Sequence, residues 1–415
     1  MSVLLNNIKT LYGIRDASVD KVAGADMKIF PSIENAFLLI NKGVIESFGS
    51  MTDLKKESLN YIEEVNCAGK FVLPAFCDSH THIVYAGSRE AEYVDRINGL
   101  SYEEIALRGG GILNSAKKLN AATEDELYNA ALARINECIA QGTGAIEIKS
   151  GYGLSIEGEL KMLHVIKKLK ENLPVPVKAT FLGAHAFPQE YKSTPEKYID
   201  VLIKDMMPVI EQEKLADYCD VFCERNYFTP AQTIRILEAG KKHGMKPKVH
   251  ANQLSLSGGV QAGVQAGAVS VDHLEYVEEA EIIALQHSET MPTILPGAQI
   301  FLQLPHPPAR KMIDAGLPLA IASDYNPGSS PTGNMSLMIA LSCMLYKLTP
   351  EEAFNAATLN TAYAMDLQKT HGSIFKGKAA NVMVTKAIPS LAYMPYSFGS
   401  NLVEQVFING KRFNG

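Results

Sequence analysis

Short apolar runs alternate with longer helical patterns through the middle of the chain. Between the runs, apolar residues recur at three- to four-residue spacing, as in residues 126–142, which end at Gly142. Strand-like runs separated by amphipathic helices are typical of a parallel sheet. The runs cover residues 71–82, 144–151, 177–185, 219–224, 246–251, 268–273, 290–296 and 318–324. Eight strand–helix units in about 300 residues predict an α/β fold, a (β/α)8 TIM-like barrel, over residues 71–374.

The two chain ends have a different pattern, with strand-like runs close together. Residues 36–49 read as two apolar runs around an Asn-Lys-Gly turn. Residues 378–386 and 403–413 read as short strands, the second with an Asn-Gly turn. Such turns are typical of hairpins. We therefore expect the ends to pair in one small β-sandwich-like domain, composed of residues 1–70 and 375–415.

Composition narrows the classes of function. Of the 415 residues, 47% are hydrophobic and 20% charged, which is typical of a globular protein. A net charge of −6 argues against a broad electrostatic surface for nucleic acid or anionic membrane. No apolar run approaches the ~18 residues of a membrane span, and the first residues lack the pattern of a signal peptide. The six cysteines are scattered and are expected to be reduced thiols, so the sequence predicts a cytoplasmic protein.

Ionisable side chains lie at the ends of four predicted barrel strands. His80 and His82 follow the first strand, His250 the fifth, His273 the sixth and Asp324 the eighth. Residues i and i+2 of a strand point to one side, and the carboxyl ends of barrel strands form the active site. Imidazole nitrogen and carboxylate oxygen are suitable ligands for zinc or iron. A single histidine of this kind is more often structural, but five ionisable groups together favour a metal site.

These motifs resemble those of the amidohydrolase superfamily. The resemblance lies in the DSHTH motif at 78–82, in His250 and His273, and in ASDYN at 322–326. It implies a metal-dependent hydrolase on a (β/α)8 barrel, with a small β domain made from both chain ends.

A narrower resemblance covers nearly the whole chain. It depends on residues 78–90, 147–154, 181–188, 249–255, 271–275 and 323–335. These motifs are similar to those of the superfamily members that open the ring of 4-imidazolone-5-propionate to N-formimidoyl-L-glutamate in histidine degradation. The resemblance also implies a homodimer and a small-molecule substrate as the partner.

Binuclear members of the superfamily hold two ions with a carboxylated lysine at the end of the fourth strand. The fourth strand here, at 219–226, contains no lysine. Lys149 falls on the second strand and is interpreted as an ordinary lysine in a polar network. The resemblance therefore implies one metal ion per chain, zinc or iron(III), bound by four residues, namely His80, His82, His250 and Asp324.

The resemblance also implies how the reaction proceeds. Water activated by the metal would attack the ring carbonyl, with His273 as the general base. Asp324 would bind the metal and pass a proton to the leaving nitrogen. Gln253 occupies a position where some members have glutamate, and because an amide cannot act as a base, it would only hydrogen-bond the substrate within the catalytic site. The alternative for His273 is a further ligand or a spectator.

Three residues at other strand ends are candidates for holding the substrate. Arg89 could bind the propionate carboxylate with two hydrogen bonds. Tyr152 lies between two glycines that could set an unusual backbone and direct the phenol over the site. His185, after the third strand, could hydrogen-bond the ring or the carboxylate. Each could equally be a surface arginine, a packed turn aromatic or a core histidine.

Two glycine-rich segments complete the candidates. Asn326, Gly328 and Ser329 match substrate-binding positions of the resembled family, although an ordinary turn would have the same composition. Residues 108–112, RGGGI, lack the Gly-Lys-Ser/Thr of a phosphate loop and are interpreted as a flexible loop over the barrel mouth, a candidate lid.

Two rival functions stay open at this point. A cyclic amidase or nucleobase deaminase on the same scaffold typically has a carboxylate beside the fifth-strand histidine and needs no Arg89. A non-catalytic relative usually lacks one or more metal ligands. Gln253, Arg89 and Tyr152 count against the deaminase, and the complete ligand set counts against the non-catalytic relative.

Overall fold

The computed structural model describes residues 2–55, 61–100, 104 and 110–414. Within them the strands are β1 (Ser2–Tyr12), β2 (Ser32–Asn41), β3 (Val44–Ser50), β4 (Glu63–Asn66), β5 (Lys70–Pro74), β6 (Phe76–Asp78), β7 (Thr143–Lys149), β8 (Val177–Ala184), β9 (Tyr218–Cys223), β10 (Lys246–Ala251), β11 (Ser270–His273), β12 (Met291–Ile294), β13 (Ala320–Ile321), β14 (Val382–Ala387), β15 (Val403–Ile408) and β16 (Lys411–Arg412).

The α-helices of the same residues lie mostly between the barrel strands. They are α1 (Glu90–Ile97), α2 (Ile112–Ala121), α3 (Glu124–Ala140), α4 (Ile156–Asn172), α5 (Pro195–Val201), α6 (Met207–Glu213), α7 (Pro230–Lys242), α8 (Gly259–Ala266), α9 (Glu279–Gln286), α10 (Pro296–Leu302), α11 (Ala309–Asp314), α12 (Met335–Tyr346), α13 (Pro350–Ala357), α14 (Leu359–Tyr363) and α15 (Tyr393–Tyr396). A π-helical turn, Leu202–Met206, joins α5 to α6. None of these helices is of a length and apolarity that would let it cross a membrane.

Both chain ends contribute to one mixed sheet. Its order is β16-β15-β14-β5-β1-β2-β3, with β4 also paired to β1, in the described part of the chain. The β2–β3 hairpin turns through Lys42 and Gly43, at φ 50° and 86°, and the β15–β16 hairpin through Asn409 and Gly410, at φ 48° and 70°. These left-handed positions fit the turns that the sequence predicts. The prediction that the two ends pair with each other is confirmed.

The middle of the chain forms the barrel. Eight parallel strands, β6 to β13, pair in chain order through the described residues. Beyond the strand ends, the amide of Asp324 donates to the carbonyl of His80 at 2.9 Å, and the amide of His82 donates to the carbonyl of Tyr325 at 2.9 Å. These two bonds connect the first strand to the eighth. The predicted fold class is confirmed, while the division into 1–70 plus 375–415 and 71–374 stays a prediction.

Helix α3 illustrates how the outer ring is built. Thr123 and Glu126 form a reciprocal capping box at its start, which satisfies two amides that have no partner within the helix. Its buried residues include Leu127, Ile135 and Ile139, which lie on one face toward the barrel. Burial of each such side chain is worth about 1.5–3 kcal/mol. The apolar face therefore fixes the helix against the strands and leaves the barrel mouth to polar residues.

Candidate metal and active site

Four ionisable side chains converge at the carboxyl ends of the barrel strands. The Nε2 atom of His82 lies 3.3 Å from Nε2 of His80 and 3.4 Å from Nε2 of His250. Oδ1 of Asp324 lies 3.6 Å from Nε2 of His80 and 3.5 Å from Nε2 of His82. All four side chains are buried. The structure thus brings together the four predicted ligands, and it places His80 and His82 on one side of the strand end.

The charge states of these groups suit a cation. Burial lowers the pKa of His80 and of His82 well below the usual range, so both imidazoles are neutral at pH 7. Burial raises the pKa of Asp324 to about 7, against the lowering effect of His273. Neutral imidazoles whose Nε2 atoms approach within 3.4 Å point lone pairs at a common centre. Three nitrogens and one oxygen in this arrangement fit zinc or iron.

Buried carboxylates orient two of the histidines from below. Nδ1 of His80 lies 2.6 Å from Oδ2 of Asp272, and Nδ1 of His250 lies 2.9 Å from Oδ2 of Asp220. A proton held on Nδ1 leaves the Nε2 lone pair for a metal. Lys149 lies between the two carboxylates, with Nζ 2.8 Å from Asp220 and 3.8 Å from Asp272. Burial opposes the charge of Lys149, but the surrounding carboxylates, Asp220 first, outweigh it and raise its pKa.

His273 and Gln253 lie beside the four converging groups. The His273 ring is 5.2 Å from the His250 ring and 5.5 Å from the His80 ring, centre to centre. Burial lowers the pKa of His273, so its neutral form can accept a proton. Both His273 and Gln253 line the cavity above the site. His273 and Gln253 are therefore placed where they can contact a molecule bound in the cavity.

Arg89 reaches the cavity from the start of α1. Its Nε donates to Oε2 of Glu92 at 2.8 Å, and its Nη2 pairs with the same oxygen. A Cβ added to Gly328 would lie 2.3 Å from Nη1 of Arg89, so the backbone at 328 packs directly on the guanidinium. A larger residue at this position would therefore displace the Arg89 guanidinium.

The loop after Asp324 is held by its own asparagine. The Asn326 amide nitrogen donates to the Asp324 carbonyl and to Oγ of Ser329, each at 2.7 Å. Its Oδ1 accepts from the amides of Gly328 and Ser329, at 2.7 and 2.8 Å. These contacts occupy the Asn326 side chain within the loop. Asn326, Gly328 and Ser329 all line the cavity. Gly328 packs against Arg89, and Oγ of Ser329 lies 3.4 Å from Oδ2 of Asp324.

Tyr152 and His185 form the wall opposite the loop. Gly151 has φ +112°, and a Cβ at Gly153 would lie 2.2 Å from a backbone nitrogen of α4. The prediction of an unusual backbone holds for Gly151, whereas Gly153 is set by close packing. His185 donates from Nδ1 to the Gly151 carbonyl at 3.0 Å and stacks on the His82 ring at 5.3 Å. Burial lowers the pKa of His185 to about 3, which makes it a neutral hydrogen-bonding group.

The cavity enclosed by these residues measures about 510 Å³. It is also lined by Arg96, Phe222 and Tyr227, which the sequence did not single out. Arg96 lies about two helical turns after Arg89, on the same face of α1. Its Nη2 donates to the Gly328 carbonyl at 2.8 Å. Its seven-residue spacing from Arg89 on a helix was the signal available. For the candidate lid at 108–112, residues 108 and 109 lie outside the described residues.

Comparison with known sequences identifies related proteins. The family model described as "Amidohydrolase family" matches residues 71–413. The imidazolonepropionase of Flavobacterium johnsoniae is 57% identical over 411 residues, covering 99% of this chain and 100% of that relative. The imidazolonepropionase of Clostridium tetani is 41% identical, covering 93% of this chain and 92% of that relative.

Solved structures share the architecture at low sequence identity. The guanine deaminase of E. coli superposes with a TM-score of 0.74 at 14% identity, covering 100% of this chain and 99% of that one. An adenosine deaminase from Xanthomonas campestris with bound zinc gives a TM-score of 0.72 at 16% identity, covering 99% of this chain and 92% of that one. At such identities the likeness concerns the fold alone.

Proposed function

The chain belongs to the amidohydrolase family and groups with its imidazolonepropionases, and from this membership we propose that it hydrolyses 4-imidazolone-5-propionate to N-formimidoyl-L-glutamate. Water adds to the ring carbonyl carbon, and the bond from that carbon to the ring nitrogen breaks. The carbonyl becomes a carboxylate, and the nitrogen leaves as part of the formimidoyl group. The observation that supports this most directly is the convergence of three imidazoles and one carboxylate in a protein 57% identical to a named imidazolonepropionase.

We further propose that His80, His82, His250 and Asp324 hold one zinc or iron ion per chain. When bound, such an ion supplies positive charge that lowers the pKa of water and polarises a carbonyl. The described part of β9, the fourth barrel strand, has no lysine, and Lys149 on the second strand is engaged by carboxylates. This supports a mononuclear site.

The proposed proton path uses two residues of this chain. His273 takes a proton from the attacking water, for which its neutral imidazole is suited. Asp324 accepts the second proton of that water and delivers it to the leaving ring nitrogen, and His273 releases its proton to solvent. Gln253, in the cavity wall, forms a hydrogen bond with the substrate ring. It takes no part in the proton transfers.

The substrate carboxylate is proposed to lie against Arg89. Guanidinium binds carboxylate through two parallel hydrogen bonds, and a partly buried site strengthens them. Tyr152 and His185 would contact the ring from one side, and Ser329 and the Gly328 backbone from the other, with Asn326 shaping that loop. A cavity of about 510 Å³ is ample for so small a molecule.

A comparison of two histidine variants tests the assignment. The parent protein should convert 4-imidazolone-5-propionate and contain about one metal equivalent by elemental analysis. His273→Ala should keep its metal while kcat falls by about 10²–10⁴-fold, as for loss of a general base. His250→Ala should lose metal and activity together. A parent that deaminates guanine but does not open the imidazolone ring would contradict the proposed substrate, and a metal-free His273→Ala would make His273 a ligand.

Two broader proposals follow from the membership. We propose that the chain acts as a homodimer, as the resemblance implies, and in the cytoplasm, as the sequence predicts. Sedimentation of the purified protein gives its mass in solution, and a monomer at micromolar concentration would contradict the first of these.

A further inference from the structure

A buried carboxylate without a partner lies behind His273. The Glu275 side chain is 1% exposed, and neither of its oxygens has a hydrogen-bond partner among the described residues. Its Oε1 lies 3.7 Å from Nδ1 of His273, which likewise has none among them. An ionisable group buried without a partner carries a desolvation cost of several kcal/mol or a shifted pKa, so its presence calls for a reason.

The backbone brings this carboxylate back toward the imidazole. His273 and Leu274 have φ of +90° and +69°, a left-handed conformation that costs about 1–3 kcal/mol in residues other than glycine. The turn is fixed by hydrogen bonds from the Leu274 amide to the Ala251 carbonyl and from the Tyr276 amide to the Asn252 carbonyl, at 3.1 and 3.0 Å. The chain therefore makes a strained turn at the end of β11. If β11 simply continued, Glu275 would not lie beside His273.

The other site histidines show what such a pair does. His80 and His250 each have a carboxylate oxygen within 2.9 Å of Nδ1, which leaves Nε2 for the common centre. Glu275 stands in the same relation to His273, at a longer distance. Neither group has a hydrogen bond to another residue in the described part of the chain, so a small side-chain rotation can close the gap. Catalytic hydrogen bonds are often long in unliganded structures.

We propose that Glu275 is a positioning residue that accepts a hydrogen bond from Nδ1 of His273 and so fixes the tautomer whose Nε2 can take the proton of the attacking water. Glu275 touches neither substrate nor metal and acts through His273. This inference rests on the proposed function, in which His273 is the base. A hydrogen bond between Glu275 and His273 would give a partner to the buried carboxylate and to Nδ1, and it would explain why the strained turn is kept.

The test uses Glu275→Gln and Glu275→Leu in the metal-loaded full-length protein. We expect kcat on 4-imidazolone-5-propionate to fall by about 10–100-fold, the usual cost of losing a residue that orients a site histidine, with KM and metal content unchanged. Melting temperature should stay close to the parental value, since the Glu275 oxygens make no hydrogen bond to another residue of the described chain. Glu352→Gln is the matched control: Glu352 is a buried carboxylate in α13 paired with Arg310, and this variant should keep the parental kcat.

A double variant separates positioning from general support of the fold. If Glu275 acts only through His273, the pair His273→Ala with Glu275→Leu should be no slower than His273→Ala alone. Additive losses, a parental kcat in both Glu275 variants, or a joint fall of melting temperature, metal content and activity would each overturn the inference. An inactive parent would instead contradict the proposed function.

Discussion

At the scale of single residues, the site histidines differ in what lies behind Nδ1. His80 and His250 meet carboxylates there, His185 meets a backbone carbonyl, and His82 has no such hydrogen bond among the described residues. The partner decides which nitrogen keeps its lone pair. Identical side chains at neighbouring strand ends are thereby given different tasks.

Arg89 allows a prediction about substrate affinity. Arg89→Ala should weaken binding by about 1.5–3 kcal/mol, because hydrogen bonds to a charged group are lost, and KM should rise accordingly. Metal content should not change, since Arg89 is not one of the four proposed ligands. Steady-state kinetics with elemental analysis gives both quantities.

Arg235→Ala provides the control for Arg89→Ala. Arg235 is an exposed arginine paired with Glu196 and Asp200, and pairs of this kind contribute about 0–1 kcal/mol. An unchanged kcat/KM in Arg89→Ala would show that the propionate is held elsewhere.

At the scale of elements, the loop after β13 packs closely against Arg89 at the start of α1. A Cβ at Gly328 would lie 2.3 Å from Nη1 of Arg89. We expect Gly328→Ala to displace the guanidinium and raise KM about as much as Arg89→Ala, with the two changes not additive. Gly399→Ala, where a Cβ would meet nothing within 4 Å, should behave like the parent. Parental kinetics in Gly328→Ala would mean that the loop yields freely.

Strand β7 contributes a second prediction at this scale. Lys149→Met would leave the carboxylates of Asp220 and Asp272 without the cation between them, and loss of one partner from a buried ion pair costs about 3–5 kcal/mol. Metal affinity and melting temperature should both fall, as measured by chelator competition and thermal unfolding.

The control for Lys149→Met is Lys178→Met, on β8. Lys178 is partly exposed and pairs loosely with Asp217 at 3.8 Å, so its loss should be nearly silent. A Lys149→Met protein with parental metal affinity would show that the two carboxylates orient their histidines unaided.

The sequence predicts the elements well because their patterns are local. Strand ends, the hairpin turns at Gly43 and Gly410, and the clustering of ionisable side chains at the strand ends follow from spacing along the chain. The choice of four ligands among those side chains is what the resemblance implies. The pairing of His80 with Asp272 could not be predicted, because the two residues lie 192 positions apart in the sequence. Their side chains meet inside the barrel only once it has closed. The engagement of Asn326 within its own loop likewise depends on coordinates that no periodicity encodes.

At the scale of the whole molecule, the barrel closes where the proposed metal ligands lie. The two hydrogen bonds that connect the first strand to the eighth, here called the seam, involve the backbones of His80, His82 and Asp324. The side chains of these residues converge on the proposed ion. A ligand that binds only the folded state at 1,000 times its Kd adds about 4 kcal/mol of stability. Chelation of the parent should therefore lower its melting temperature, and chelation should have little effect on His80→Ala. Equal melting curves with and without chelator would contradict this link.

Hydrogen exchange at two backbone amides of this seam can report whether the metal is bound. Exchange of a protected amide with deuterated solvent requires its hydrogen bond to open, and opening here separates the first strand from the eighth. The amides of His82 and Asp324 should exchange slowly in the loaded protein and markedly faster after chelation, while amides in the β2–β3 hairpin keep their rates. The occupancy of the catalytic centre can thus be followed by mass spectrometry of peptic peptides, in the absence of substrate and of turnover.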